Sequence, residues 1–210
     1  MTIKTFSILL TFKLLSLQMQ IVMLEQRIFD NVDMQNMCHK EKIIPDVIQY
    51  APVHLLQLGW EDNVKAELGN NLFKYEVFHE PTLYWPHEEN LFYTLIFVAP
   101  DMPDPNNCTQ RKYQCWVVVN IPGIHVEHGQ VLTDYIPPPT PIAYGSQRYI
   151  FLVYIQPKGN MSFSQDYLPP VPNDMARQKF STAEFTKNHA YGVPFAGNWF
   201  RINWGSFNRS

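Results

Sequence analysis

The sequence has no block of like charge, no internal repeat, no low-complexity linker and only three cysteines. Each absence removes a class of protein. With 16 basic and 19 acidic residues dispersed over 210 positions, the chain lacks the footprint of a nucleic-acid binder and the polybasic patch of a membrane-surface protein, so a small or neutral partner fits better. Cys38, Cys108 and Cys115 permit any one of three single disulfides with one thiol left over, and a core of this size requires none of them. No G-x-S-x-G, no H-E-x-x-H and no glycine-rich phosphate loop is present, so neither an enzyme nor a cofactor is expected. No clean membrane span is present either. The first 24 residues are mostly apolar, but Lys13 divides them, and a lysine near the centre of a span costs roughly 2.5 to 3.5 kcal/mol.

Those 24 residues contain no acid and carry Lys4 near their start, which reads as a secretory leader or an N-terminal extension ahead of a domain at 38 to 210. Secretion is the expectation and a cytoplasmic chain the alternative. Asn107 and Asn160 each open a glycosylation triplet, which matters only on the secretory route.

What the chain does have is apolar and aromatic: 46% hydrophobic residues, including 14 Phe, 11 Tyr and 5 Trp, enough for one well-filled domain. Seventeen prolines and frequent turn residues separate short segments rich in Val, Ile, Tyr, Phe and Trp, which predicts a mainly β fold. LFYTLIFVA (91 to 99), CWVVVNI (115 to 121) and RYIFLVYI (148 to 155) are nearly continuous apolar runs, expected as strands covered on both faces. Residues 53 to 60 and 63 to 70 read as hairpin partners, 87 to 89 as a hairpin tip, and 175 to 190 as one or two short helices, with His189 capping one or packing on Tyr191. IPPPTP (136 to 141) reads as a stiff exposed loop.

Pro100 and Pro103 cannot donate to a sheet ladder, so the first of these strands must leave its sheet near Ala99 and present Asp101 on a stiff turn. Around that turn the segments IPDVI (44 to 48), ELGN (67 to 70), EPTLYW (80 to 85), FYTLIFVAPDMP (92 to 103), WVVVNIPG (116 to 123), GQVLTDYIPPPTP (129 to 141), YGSQRYIFLVYIQ (144 to 156) and GVPFAGNWFRINW (192 to 204) follow one another in an order and spacing that resembles the phosphatidylethanolamine-binding protein family. The resemblance implies a large antiparallel sheet packed on a smaller one with a few short helices, and a shallow edge pocket for phosphate or phospholipid-headgroup anions. It also implies the pocket positions: Asp101, Pro103, Tyr113, Cys115, Pro139, Pro141, Gln147, Tyr149 and Phe200.

Several of these depart from the family pattern in one direction. The first aspartate of the signature turn D-P-D-x-P is Ala99 here, the histidine before the following strand is Cys115, that of G-x-H-R-Y is Gln147, and a pocket tyrosine aligns with Phe200. Anion sites need charged or strong donors, and each charge-assisted hydrogen bond lost weakens binding by roughly 1.5 to 3 kcal/mol. Tyr149, Tyr113 and the backbone of the 139 to 141 loop remain. Asp101 is expected to pair with Arg148 and lock the pocket floor. His125-Val126-Glu127-His128 lacks the i, i+4 spacing of metal-binding helices, so no metal is expected there.

The expectation is therefore a monomeric, non-catalytic ligand-binding protein with an altered anion pocket for a lipid or small apolar ligand. The alternative is an interaction protein, such as a protease inhibitor or signalling scaffold, whose pocket is vestigial and whose proline loop makes the contact.

Overall fold

The computed structural model describes residues 33–103, 112–142, 144–172 and 174–205. Its strands are β1 (His54–Leu55), β2 (Gln57–Gly59), β3 (Thr82–Tyr84), β4 (Phe92–Ala99), β5 (Tyr113–Pro122), β6 (Gln130–Thr133), β7 (Gly145–Ile155) and β8 (Ala196–Trp204). Helical residues 33–40 form α1, and Thr182–Asn188 form α2. Six strands make one sheet in the order β1-β8-β7-β4-β5-β6, and β2 pairs with β3 in a second, two-stranded sheet.

The three apolar runs become β4, β5 and β7 because the large sheet has a layer on each face. On one face Phe97, Val118, Tyr149 and Phe151 pack with Leu56, Leu58 and Trp85 of the small-sheet layer. On the other Ile96, Val117, Ile150 and Leu152 pack with Met34, Cys38, Ile43 and Phe185 of the helical layer. With both faces dry, the usual alternation of apolar and polar residues disappears, and Tyr93 to Ala99 are all buried.

The large sheet is antiparallel except at one edge, where β1 runs parallel to β8. There the Pro52 ring lies so close that a Cβ on Gly197 would stand 2.5 Å from Pro52 Cγ. The 53 to 70 hairpin forms only as a bridge between Gly59 and Lys65, and β2 takes β3 as its ladder partner instead. Residues 87 to 89 cross from one sheet to the other, so they are not a hairpin tip. The helical expectation resolves into a 3-10 turn, Met175–Arg177, and α2, whose N-cap Ser181 accepts from Glu184 N. His189 sits at the C-cap of α2 with Nδ1 2.8 Å from Phe185 O and its ring 5.8 Å from that of Tyr191. No helix among the described residues is long and apolar enough to cross a membrane. The leader, Asn107 and Cys108 lie outside the described residues, while Asn160 is exposed.

Candidate functional site

β4 ends at Ala99, and Pro100 to Pro103 turn the chain against the start of β7. Asp101 receives two side-chain bonds from Arg148, Nε to Oδ2 at 3.0 Å and Nη2 to Oδ1 at 2.6 Å, and its Oδ2 also accepts from Arg148 N at 2.9 Å. Arg148 Nη2 reaches Asp46 Oδ2 at 2.6 Å, and Nη1 donates to the carbonyls of Glu41 and Lys42. Burial works to lower the Arg148 pKa, but its bonds to Asp101 and then Asp46 outweigh that and raise it. The guanidinium is therefore fixed, charged and fully occupied.

The pair has a different place from the pocket floor that the sequence suggested. Side chains alternate along β7, so Arg148 faces the layer of Ile43 and Val47, whereas Gln147 and Tyr149 face the small sheet. Arg201 stands directly across from Arg148 in β8, and Glu41 pairs with it at 2.6 Å, which offsets the like-charge contact.

On the small-sheet face the remaining expected residues come together, but as packed core. Tyr113, Cys115, Gln147, Tyr149 and Phe200 are each no more than 2% exposed, and Pro103 and Pro139 are buried too. Tyr149 stacks on Phe200 with ring centroids 5.4 Å apart, and Phe97 stacks on Phe151 at 3.9 Å. Tyr149 Oη donates to Pro139 O at 3.4 Å and accepts from Trp204 Nε1 at 3.1 Å, and burial raises its pKa. Cys115 is the extra residue of a β-bulge: Phe97 pairs with Trp116 and Val98 with Gln114. Burial pushes its thiol pKa up, so it is a neutral wall and not a nucleophile. Cys115 and Cys38 are free thiols.

The open space lies beside this pile. A groove of about 680 Å³ is lined by Phe73, Tyr75, Ile142, Tyr144, Ile202 and Trp204, with Pro141 on its wall. Pro141 is thus the one expected pocket residue that faces it. Phe73, Tyr75, Ile142 and Tyr144 are 63%, 76%, 79% and 67% exposed, a concentration of large apolar side chains in one place. Its cation, Lys74, sits 5.5 Å over the Trp204 ring and donates to Thr140 Oγ1 at 3.0 Å. Trp204 joins groove to core, since its indole N–H bonds Tyr149 behind it. The proline loop is not the exposed arm its composition suggested: Pro138 and Pro139 are buried, and only Thr140 and Ile142 stand clear.

Two features escaped the sequence reading. The groove draws on residues 73 to 75, 140 to 144 and 202 to 205, whose convergence no local pattern reveals. Arg177, fully buried, donates to the carbonyls of Gln114, Cys115, Asp134 and Pro169, filling the gap where β6 diverges from β5. Every hydrogen bond it makes among the described residues goes to a backbone oxygen.

Comparison with known proteins places this architecture. A putative odorant-binding protein A5 of Drosophila melanogaster is 30% identical over 166 residues, covering 79% of this chain and 78% of its own. A 26 kDa secreted antigen of Toxocara canis is 36% identical over 159 residues, covering 76% of this chain but 60% of the antigen. The structure of a carboxypeptidase Y inhibitor in complex with its proteinase superimposes with a TM-score of 0.68 at 19% identity, over 83% of this chain and 97% of the inhibitor, a likeness of fold. The family model for phosphatidylethanolamine-binding protein matches residues 63–200, and the chain belongs to that family.

Proposed function

We propose that this chain is a secreted, non-catalytic binding protein that takes a small, largely apolar ligand in the aromatic groove between residues 73 to 75, 140 to 144 and Trp204. The observation that carries the reading is the division of labour on this side of the molecule. Positions where anion chemistry would sit are closed and neutral, whereas the adjoining groove is open, aromatic and of small-molecule size. A phosphate entering here would meet Cys115, Gln147 and Phe200 behind a stacked wall, with the Arg148 guanidinium and both Nη groups of Arg177 committed to other acceptors. An apolar ring or chain would bury surface against Phe73, Tyr75 and Tyr144, the driving term for such a ligand. Lys74 can meet one polar head group by exchanging its bond to Thr140.

The names of the relatives, an odorant-binding protein and a secreted antigen, support both the ligand class and the secretory route. The test is a titration of the full chain with N-phenyl-1-naphthylamine, read by probe fluorescence. Saturable binding that weakens by about fivefold or more in Tyr144→Ala and in Phe73→Ala supports the reading, because truncating an aromatic anchor of a site costs more than about 1 kcal/mol. Binding unaltered in both variants refutes it.

A further inference from the structure

The stretch from His125 to Gly129 serves neither the groove nor the buried pair. Between β5 and β6 the chain makes a 3-10 turn, Val126–His128. His125 N donates to Pro122 O, His128 N to His125 O and Gly129 N to Val126 O, each at 3.0 Å. Ile124 and Val126 pack against the core, and a Cβ on Gly129 would stand 2.5 Å from Val118 Cγ1, so the turn is pressed onto β5 and its frame is rigid.

Metal-binding helices commonly carry their histidines at i and i+4, which is why H-x-x-H carried no metal expectation. A 3-10 turn has three residues per turn, so i and i+3 eclipse. His125 is the N-cap of this turn, its carbonyl accepting from His128 N, and the two rings share a side with centroids 5.4 Å apart. Glu127 closes the third corner: its Oε1 lies 3.1 Å from His125 Nδ1. One ligand atom from each of the three residues lies within 4.8 Å of the others, and among the described residues no other trio of His, Cys, Asp or Glu converges in this way.

Two imidazoles and one carboxylate suit Zn²⁺, which takes such ligands at about 2.0 to 2.2 Å, whereas calcium and magnesium favour oxygen throughout. We propose that His125, Glu127 and His128 form a zinc site on the β5–β6 turn, with a fourth position open to water or a donor from a partner. Zinc held there ties the turn and stabilises the folded chain in proportion to its occupancy.

Calorimetric titration of the full chain with ZnCl₂ tests this directly. The expected result is one zinc per chain, with binding weakened by more than about tenfold in His125→Ala and in His128→Ala, because even the outer partners of a zinc site cost 10- to 100-fold. Co²⁺ in place of zinc is expected to give visible absorption bands that disappear in the double variant H125A/H128A. His125 and Glu127 are 49% and 66% exposed, so their replacement leaves the core untouched. Should an alanine variant unfold, Glu127→Gln carries the same expected loss. Failure of the native chain to bind zinc, or binding that survives H125A/H128A, overturns the proposal.

Discussion

Arg148 and Tyr149 are neighbours in β7 that serve opposite layers: the guanidinium locks Asp101 and Asp46 under the helical face, while the phenol stacks on Phe200 under the small sheet. One strand thus carries a fixed ionic clamp on one side and a neutral wall on the other. A substitution on the second side need not disturb the clamp on the first.

Asp101→Ala should therefore be a stability variant and not a binding variant. Both partners are nearly buried, with side chains 8% and 7% exposed, and removing one member of such a pair costs about 3 to 5 kcal/mol. Urea unfolding of D101A measures it. The double variant D101L/R148M should lose less, because the buried guanidinium goes together with its buried partner, while the partly exposed Asp46 keeps Lys112 at 3.9 Å. A loss under about 1 kcal/mol in D101A would contradict this account.

Gly197→Ala should destabilise by about 1 to 3 kcal/mol through overpacking, since its new methyl would overlap Pro52 where β1 lies on β8. Gly192→Ala, with nothing within 4 Å of the added carbon, serves as the control and should stay near the native midpoint. Equal midpoints for the two variants would show that the β1 edge is loosely held.

Burial raises the pKa of Tyr135, Tyr149 and Tyr154. Raised in the fold, these phenols keep their protons while the unfolded chain loses them at about pH 10. Their contribution to stability is complete below that pH and falls as pH rises above it, by about 1.4 kcal/mol per pH unit for each group. Urea midpoints between pH 9 and 11 should drop, with a shallower slope in Tyr149→Phe. An unchanged slope in Y149F would place that hydroxyl in contact with water.

The thiols of Cys38, pushed up to about 12, and Cys115, raised further by burial, should resist alkylation at pH 8. Mass spectrometry after iodoacetamide treatment should show both modified only once the chain is unfolded. Rapid labelling of native Cys115 would reopen the wall as a reactive pocket.

The strands were legible because double burial leaves a plain sequence trace: Leu95 to Ala99 and Tyr149 to Tyr154 are apolar without alternation. The turn at Pro100 to Pro103 was legible from proline geometry alone. Less accessible was the face each residue would take. Period-2 alternation separates Arg148 from Tyr149, but the bulge at Cys115 changes the phase in β5, and nothing in that stretch announces it. The resemblance implied the smaller sheet, but its pairing of β2 with β3 was not legible, because the two strands are three residues each and pair across a long loop, where register depends on tertiary packing. For the same reason the groove, built from three distant segments, and the buried Arg177, held by backbone oxygens, left no pattern to read. The histidine turn was visible as a motif, but its spacing could be judged only once its helical type was known.

The proposed binding groove is apolar and lies beside positions that are closed and neutral where an anion site would otherwise stand. Isothermal titration of the full chain with O-phosphorylethanolamine, run beside 1-naphthol, tests this most directly. The account predicts saturable binding of naphthol and no measurable heat from the phosphate compound up to millimolar concentration, a Kd weaker than about 1 mM. Saturable micromolar binding of O-phosphorylethanolamine, with none of naphthol, would contradict it.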